Sequence, residues 1–174
     1  MSLQLATLIF LVFLKCSLAR APFYENYWVV WNIGQGQWVT HVLQDQCLHY
    51  DVGGELNTFK YIRKSLTKSC SQKVNEINLS HWDLDHYSQI NFLAQSINQV
   101  CWQTVPTYGI QKKSAQKVLQ IPLTQCLNTR ISDAWFPYHA VNSTNDSSIV
   151  HTDSGVLIPG DSTIAQEKFW IQEL

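Results

Sequence analysis

Two imidazoles and two carboxylates occur within seven consecutive residues, the heptad Ser80-His81-Trp82-Asp83-Leu84-Asp85-His86. The heptad directly follows residues 74–79, whose apolar alternation predicts a strand that ends at a loop. Because alternate side chains of an extended segment share a face, His81 and Asp83 can point at one ion while Asp85 and His86 point at a neighbouring ion. The heptad therefore predicts a metal site at the edge of a sheet.

The same residue types also form ordinary turns and helix N-caps after strands. A lone Asp or His in such a loop is more often solvated surface than a metal ligand, so the heptad by itself leaves both interpretations open.

The composition excludes intrinsic disorder, because 45% of the 174 residues are hydrophobic, seven are Trp and only 14% are charged. The net charge of −1 gives no general attraction to nucleic acid or to a membrane, so polyanion binding requires a local basic patch. Two sets of basic residues are candidates, although solvated surface is the alternative for both: Lys60, Arg63, Lys64 and Lys68 first, then Lys112, Lys113 and Lys117.

The first residues predict an export signal. Residues 3–14 form an apolar run interrupted by Gln4 and Thr7, and the small residues Ser17 and Ala19 follow. We therefore expect a signal peptide at 1–21, a folded domain at 22–174 and a periplasmic or secreted protein without stable membrane insertion after cleavage. A retained N-terminal anchor is the alternative, because Lys15 follows the run and no Lys or Arg precedes it.

Four cysteines remain after the predicted signal, namely Cys47, Cys70, Cys101 and Cys126. In an oxidising compartment they predict one or two disulfides, with three full pairings open and buried thiols as the alternative. These cysteines form no Cys-x-x-Cys element, so we do not expect a structural zinc site.

Strand and helix patterns alternate along the chain and predict an α/β fold. The predicted strands are 27–32, 38–43, 48–52, 74–79, a short strand after 101, about 133–136, 147–151 and 156–158. The predicted helices are 57–68, 87–100, about 112–119 and 162–174.

Four further motifs lie at or near predicted strand ends: Asn32-Ile33-Gly34-Gln35-Gly36-Gln37, Asp51-Val52-Gly53-Gly54, Asn145-Asp146-Ser147-Ser148 and Leu157-Ile158-Pro159-Gly160-Asp161. Together with the heptad, their order resembles the metallo-β-lactamase-fold hydrolases, and is most similar to the soluble domain of ComEC-type DNA-uptake proteins. The resemblance implies an αββα sandwich of mixed sheets. It also implies hydrolysis by a metal-activated water, with a phosphodiester such as DNA as substrate.

By resemblance, His81 and Asp83 hold a first metal, Asp85 and His86 hold a second, and Asp161 bridges the two, so that Asp85 and Asp161 are the catalytic residues. One or two Zn²⁺ or Mn²⁺ ions are implied. Residues supporting the metals or the substrate are Asp51, Ser80, Asn145 and Ser148, with His139 and His151 as alternative ligands.

The chain departs from the family at its end, because family members continue past the position of Leu174 to a further metal-ligating His. We therefore expect a domain that is incomplete at its C-terminus, and a partner that completes the fold is one explanation. Two alternatives to a DNA hydrolase stay open: a hydrolase of a small ester, lactam or thioester, and a non-catalytic remnant that still binds metal.

Overall fold

The computed structural model describes residues 25–127, 133–135, 143–163 and 166–168. Its first three strands form an antiparallel meander: β1 Tyr27–Val30, β2 Val39–Val42 and β3 Gln46–Tyr50. β2 and β3 are close neighbours because a short turn joins them, in which the Leu43 amide donates to the Gln46 carbonyl at 2.9 Å.

The sheet continues with parallel strands, each reached through a helical connection. These strands are β4 Val74–Asn78, β5 Val100–Thr104 and β6 Thr124–Gln125, and the order across the sheet is β1-β2-β3-β4-β5-β6. The helices are α1 Phe59–Cys70, α2 Leu84–Tyr87, α3 Ile90–Ser96 and α4 Lys113–Leu119. The six strands therefore form one mixed sheet.

A second, antiparallel sheet contains β7 Asp133–Trp135, β8 Val150–Asp153 and β9 Val156–Ile158. A short 3-10 helix, Asn145–Ser147, precedes β8. β8 and β9 form a tight hairpin because Ser154 and Gly155 both adopt positive φ, at 50° and 80°, as a two-residue turn requires.

Apolar residues cover both faces of the six-stranded sheet. On one face, α1 buries Phe59, Ile62 and Leu66 in the main core. On the other face, Leu48 and Tyr50 pack with Ile158 of the second sheet. The α/β class is thus confirmed, whereas the specific αββα sandwich of the metallo-β-lactamase fold stays a prediction.

The predicted helix at 87–100 is wrong in its bounds. α2 begins at Leu84, and α3 ends at Ser96 because Ile97 is extended and Gln99 adopts φ 56°. Between α2 and α3 the Gln89 amide donates to the Val52 carbonyl, a bond outside either helix. The β-branched Val100 then begins β5 rather than ending a helix.

The other elements lie within a few residues of their predicted positions, and β6 was not predicted. The predicted signal at 1–21 and most of the predicted last helix at 162–174 lie outside the described residues. Within the described part of the chain, no helix is long and apolar enough to cross a membrane.

Each of the two disulfides joins a strand of the six-stranded sheet to a cysteine about 25 residues further along the chain. Cys47 of β3 is bonded to Cys70 at the end of α1, and Cys101 of β5 is bonded to Cys126 after β6. The structure therefore selects one of the three pairings that the sequence leaves open.

We expect the double variant Cys47→Ala/Cys70→Ala to lower the free energy of unfolding by about 3 kcal/mol, because it removes the constraint on a loop of this length. Chemical denaturation under non-reducing conditions measures the change. Cys101→Ala/Cys126→Ala is a matched control with a similar sequence separation, 25 residues against 23, and we expect a similar loss. Losses well below 1 kcal/mol in both variants would contradict the loop-constraint argument.

His49 is fully buried within β3 and forms a complete set of hydrogen bonds. Its Nδ1 atom accepts from Trp38 Nε1 at 3.3 Å and lies 2.9 Å from Thr40 Oγ1, while its Nε2 atom lies 3.0 Å from Asn75 Oδ1. This pattern fits the neutral ring with its proton on Nε2. Burial lowers the pKa of His49 from 6.5 to about 4, although the bond to Asn75 opposes the shift.

Because the folded pKa of His49 is depressed, the unfolded chain binds a proton between pH 6.5 and about 4 while the folded chain does not. The free energy of unfolding should therefore fall as the pH decreases through this range, by roughly 3 kcal/mol from His49. In His49→Gln the fall should be smaller, although the variant is less stable at neutral pH. Urea denaturation near pH 7 and near pH 4.5 tests this, and an unchanged difference between the two pH values would contradict it.

Candidate metal centre

The carboxyl ends of the parallel neighbours β3 and β4 meet at one edge of the sheet, where ligand sites of α/β folds form. Asp51 follows β3 at this edge, and the heptad follows β4. Asp51 is 1% exposed and adopts φ 53°, a left-handed conformation that is uncommon for residues other than Gly and is often found at functional sites. The chain turns away from the direction of β3 at this residue.

Glycine allows the loop between β1 and β2 and the loop after β3 to contact the backbone of the heptad. A Cβ atom on Gly53 would lie 1.6 Å from the Asp85 carbonyl oxygen, and one on Gly36 would lie 2.3 Å from the same atom. The Val52 amide, next to Gly53, donates to the His86 carbonyl at 2.7 Å. These contacts fix the backbone of Asp85 and His86.

The second sheet contributes the remaining groups of the site. The Ile149 amide donates to the Ser80 carbonyl at 2.9 Å, and the Asp161 amide donates to Ser148 Oγ at 3.2 Å. Gly160 adopts φ 59°, and a Cβ atom there would lie 2.4 Å from Ser148 Oγ. The Gly-Asp motif after β9 is therefore brought against the heptad.

Three side chains converge at this junction: His81, His86 and Asp161. One nitrogen or oxygen atom from each lies within 4.8 Å of the others. His86 Nε2 is 3.4 Å from Asp161 Oδ1, and the two imidazole rings are 4.1 Å apart between centroids. The histidines are buried, whereas the Asp161 side chain is 44% exposed. The three groups can hold one ion that is open to solvent on the Asp161 side.

Hydrogen bonds orient both rings so that their Nε2 atoms are available. His86 Nδ1 lies 2.8 Å from Asp51 Oδ2, and a carboxylate accepts the Nδ1 proton. Ser80 Oγ donates its only proton to Asp51. Ser80 Oγ therefore acts as an acceptor toward His81 Nδ1, which lies 2.9 Å away. Histidines that bind metals are typically oriented in this way.

His81 Nε2 is buried and has no hydrogen-bond partner among the described residues. Leaving such an atom without a partner costs free energy, and a metal ion is a common explanation. The donor set of the site therefore fits a metal ion.

The pKa values of the two histidines shift in opposite directions. Burial lowers the pKa of His81, and the neighbouring His86 lowers it further. Burial also lowers the pKa of His86, but the hydrogen bond and the charge of Asp51 outweigh burial and raise the pKa to about 9. Asp161 and Asp85 add to this increase. A metal at His86 Nε2 must therefore displace a proton.

Asp83 stands at the N-cap position of α2, but its side chain does not cap the helix. Its Oδ2 atom is 3.6 Å from His81 Nε2, whereas Oδ1 accepts hydrogen bonds from Lys112 at 2.7 Å and from Thr144 at 2.8 Å. Burial raises the pKa of Asp83, but these hydrogen bonds and the charges of His81 and Lys112 together lower it below its usual value. The N-cap interpretation therefore does not account for Asp83.

The structure places Asp51, Ser80, His81, His86, Ser148 and Asp161 close together, and their roles stay predictions. Asp83 and Asp85 do not belong to the three-residue group that could hold an ion, so their assignment as ligands stays a prediction. Asn145 lies in the 3-10 helix, where its carbonyl accepts from the Ser148 amide. His151 is buried beside the Tyr50 ring, also outside this group, and His139 lies outside the described residues.

Sequence analysis did not identify the contact of Lys112 and Thr144 with Asp83. The sequence places Lys112 only in a candidate basic patch, and no local pattern connects it with a residue 29 positions away. A cavity of about 340 Å³ beside Asp85 was also missed. Its walls include Glu55, Leu56 and Leu84, and both leucines are more than half exposed.

No family model matches the chain, and comparisons with curated proteins and with solved structures find no match. The resemblance to metallo-β-lactamase-fold hydrolases therefore stays a prediction.

Asp51 should be the main stabilising residue of the site when no metal is bound. In Asp51→Asn, an amide NH₂ group replaces one of the oxygens that accept from Ser80 and His86. Because one member of a buried charge pair is lost, we expect the free energy of unfolding to fall by about 3 kcal/mol in the presence of EDTA. Urea denaturation measures the fall.

Asp45→Asn is the matched control, since Asp45 is exposed in the turn between β2 and β3. It should change the free energy of unfolding by less than about 0.5 kcal/mol. Equal effects of the two variants would contradict the role assigned to Asp51.

Proposed function

We propose that this protein is an exported, metal-dependent hydrolase whose metal ion is held by His81, His86 and Asp161. The observation that carries the proposal is the buried Nε2 atom of His81, which has no hydrogen-bond partner in the described part of the chain and belongs to the same small group as His86 Nε2 and Asp161. Three protein ligands leave a coordination position for water or substrate, the arrangement typical of catalytic sites. Two nitrogen donors and one oxygen donor suit Zn²⁺ or Mn²⁺.

When bound, such an ion supplies Lewis acidity and lowers the pKa of a coordinated water to about 7. The residues of the chain provide the surroundings for this chemistry. Asp51 and Ser80 keep the Nδ1 protons of the two histidines away from the reacting side. Asp161 is exposed enough to contact both metal and substrate. Asp85, which is half-buried beside the cavity, is the candidate to accept or return a proton.

A phosphodiester such as DNA is the first candidate substrate. α1 presents exposed basic residues on the face opposite its buried one, namely Lys60, Arg63, Lys64 and Lys68. This helix begins shortly after Asp51, so its first turn extends from the edge of the sheet that carries the site. A strand of nucleic acid whose phosphate is at the metal would contact the basic residues nearest the start of this helix before Lys68, which lies in its last turn. The metallo-β-lactamase sandwich is the fold that we propose for this activity.

A small ester, lactam or thioester is the second candidate substrate, and the cavity beside Asp85 favours it. The exposed Leu56 and Leu84 side chains suit an apolar group, whereas Glu55 and Asp85 repel a polyanion.

Asp161→Asn and His81→Ala should each reduce the affinity for Zn²⁺ or Mn²⁺ by at least about tenfold, because each removes one of three ligands. Hydrolysis should decrease in parallel. Competition with a chromogenic chelator measures affinity, and Asp45→Asn serves as the control that should leave affinity unchanged.

Three substrates distinguish the candidate functions: single-stranded DNA, bis-p-nitrophenyl phosphate and nitrocefin. Cleavage of the first two supports phosphodiester hydrolysis, and cleavage of nitrocefin alone supports the second candidate. Metal binding without turnover of any substrate would indicate a non-catalytic metal-binding protein. A folded wild-type protein that binds neither metal would refute the proposal.

A further inference from the structure

We propose that the ammonium group of Lys112 takes the place of a second metal ion, so that the centre contains one exchangeable metal and one tethered cation. This inference rests on the proposed metal site at His81, His86 and Asp161. It addresses the Asp83 side of the site, where the resemblance implies a metal ion.

The ammonium group lies among three oxygen atoms. Lys112 Nζ is 2.7 Å from Asp83 Oδ1, 3.1 Å from the Trp82 carbonyl oxygen and 3.5 Å from Thr144 Oγ1. Carboxylate, carbonyl and hydroxyl oxygens are also the donors that hard divalent cations prefer. The three oxygens form an oxygen cage that already contains a positive charge.

The Asp83 carboxylate connects this cage with the metal site. Its Oδ1 atom accepts from Lys112, while its Oδ2 atom lies 3.6 Å from His81 Nε2. One oxygen of Asp83 therefore contacts the ammonium group, while the other faces the His81 nitrogen that would bind the proposed metal. Lys112 therefore provides positive charge next to the metal position without needing a second ion.

The backbone brings Lys112 to this position. Gly109 adopts φ 81°, and a Cβ atom there would lie 3.2 Å from both Thr144 Cγ2 and Trp82 Cβ, so the loop lies directly against these two residues. The Lys112 amide then donates to the Gly109 carbonyl, and α4 begins at the next residue. The position of the side chain is thus set by a turn and a helix start.

Lys112 acts as a positioning residue in this arrangement. An ammonium group has three N–H donors, and three oxygens of the protein lie within 3.5 Å of Lys112 Nζ on one side, while 42% of the side chain is exposed. Its role is to supply charge and to hold Asp83, rather than to donate a hydrogen bond to substrate.

The test is the metal content of the purified chain after equilibrium dialysis against Mn²⁺, measured by mass spectrometry. We expect one equivalent in the wild type and two in Lys112→Ala, because removal of the ammonium group opens the oxygen cage to a hard cation. Lys112→Arg retains the charge and should bind one. In the double variant Lys112→Ala/Asp83→Asn the cage loses its carboxylate, and the content should return to one.

Lys113→Ala is the matched control, since Lys113 is the exposed neighbour on the same helix start, and it should bind one equivalent. Thermal unfolding of Lys112→Ala and Lys113→Ala at similar temperatures shows that the comparison is between folded proteins. Two equivalents in the wild type, or one in Lys112→Ala, would overturn the inference and leave the metal site intact. Zero equivalents in a folded wild type would overturn the proposed function as well.

Discussion

The buried carboxylate of Asp51 is the interaction on which the rest of the site depends. It accepts hydrogen bonds from the Ser80 amide, from the Ser80 hydroxyl and from His86 Nδ1, at 2.8 to 2.9 Å. A buried carboxylate needs such partners, because its transfer from water is otherwise very unfavourable. Each bond also fixes a feature of the heptad. The bond from the Ser80 amide fixes where the heptad begins, and the bond from the Ser80 hydroxyl fixes which ring nitrogen of His81 is protonated. The bond from His86 Nδ1 fixes the orientation of the His86 ring.

This arrangement explains why the two sheets meet at the heptad. Ser80 is bonded to Asp51 through its amide and hydroxyl, and its carbonyl accepts from the amide of Ile149, which directly precedes β8 of the second sheet. The same short segment is therefore tied to β3 on one side and to the β8 region on the other. The smaller core around Tyr50 and Ile158 holds the sheets together beneath it. The geometry of the site is a property of the whole interface between the sheets.

Local patterns were sufficient for much of the fold. The strand before the heptad and the inward face of α1 follow from apolar spacing, and the Asp51 motif could be placed near the heptad because both follow strands. The end of α3 was not predictable from periodicity, because Gln99 adopts a left-handed conformation in a segment that otherwise suits a helix. The cysteine pairing also depends on tertiary contacts, since all three pairings were compatible with the spacing.

Asp83 shows most clearly what sequence spacing cannot predict. Its residue type and spacing indicate a metal ligand, yet one of its oxygens is occupied by Lys112 and Thr144, which are distant in sequence. Only the fold of the loop around Gly109 shows this contact. Sequence spacing shows which atoms can reach a site, but their competing partners come from packing.

The positions of the disulfides have a consequence for the metal binding that we propose. Cys47 and Cys101 lie near the amino ends of β3 and β5, whereas the site lies beyond the carboxyl ends of β3 and β4. The covalent constraints and the candidate ligands thus lie at opposite edges of the same sheet. Under the proposed function, loss of the ion would loosen the loops at one edge while the other edge stays covalently closed. Rebinding would then require local reordering, and the domain would not have to refold.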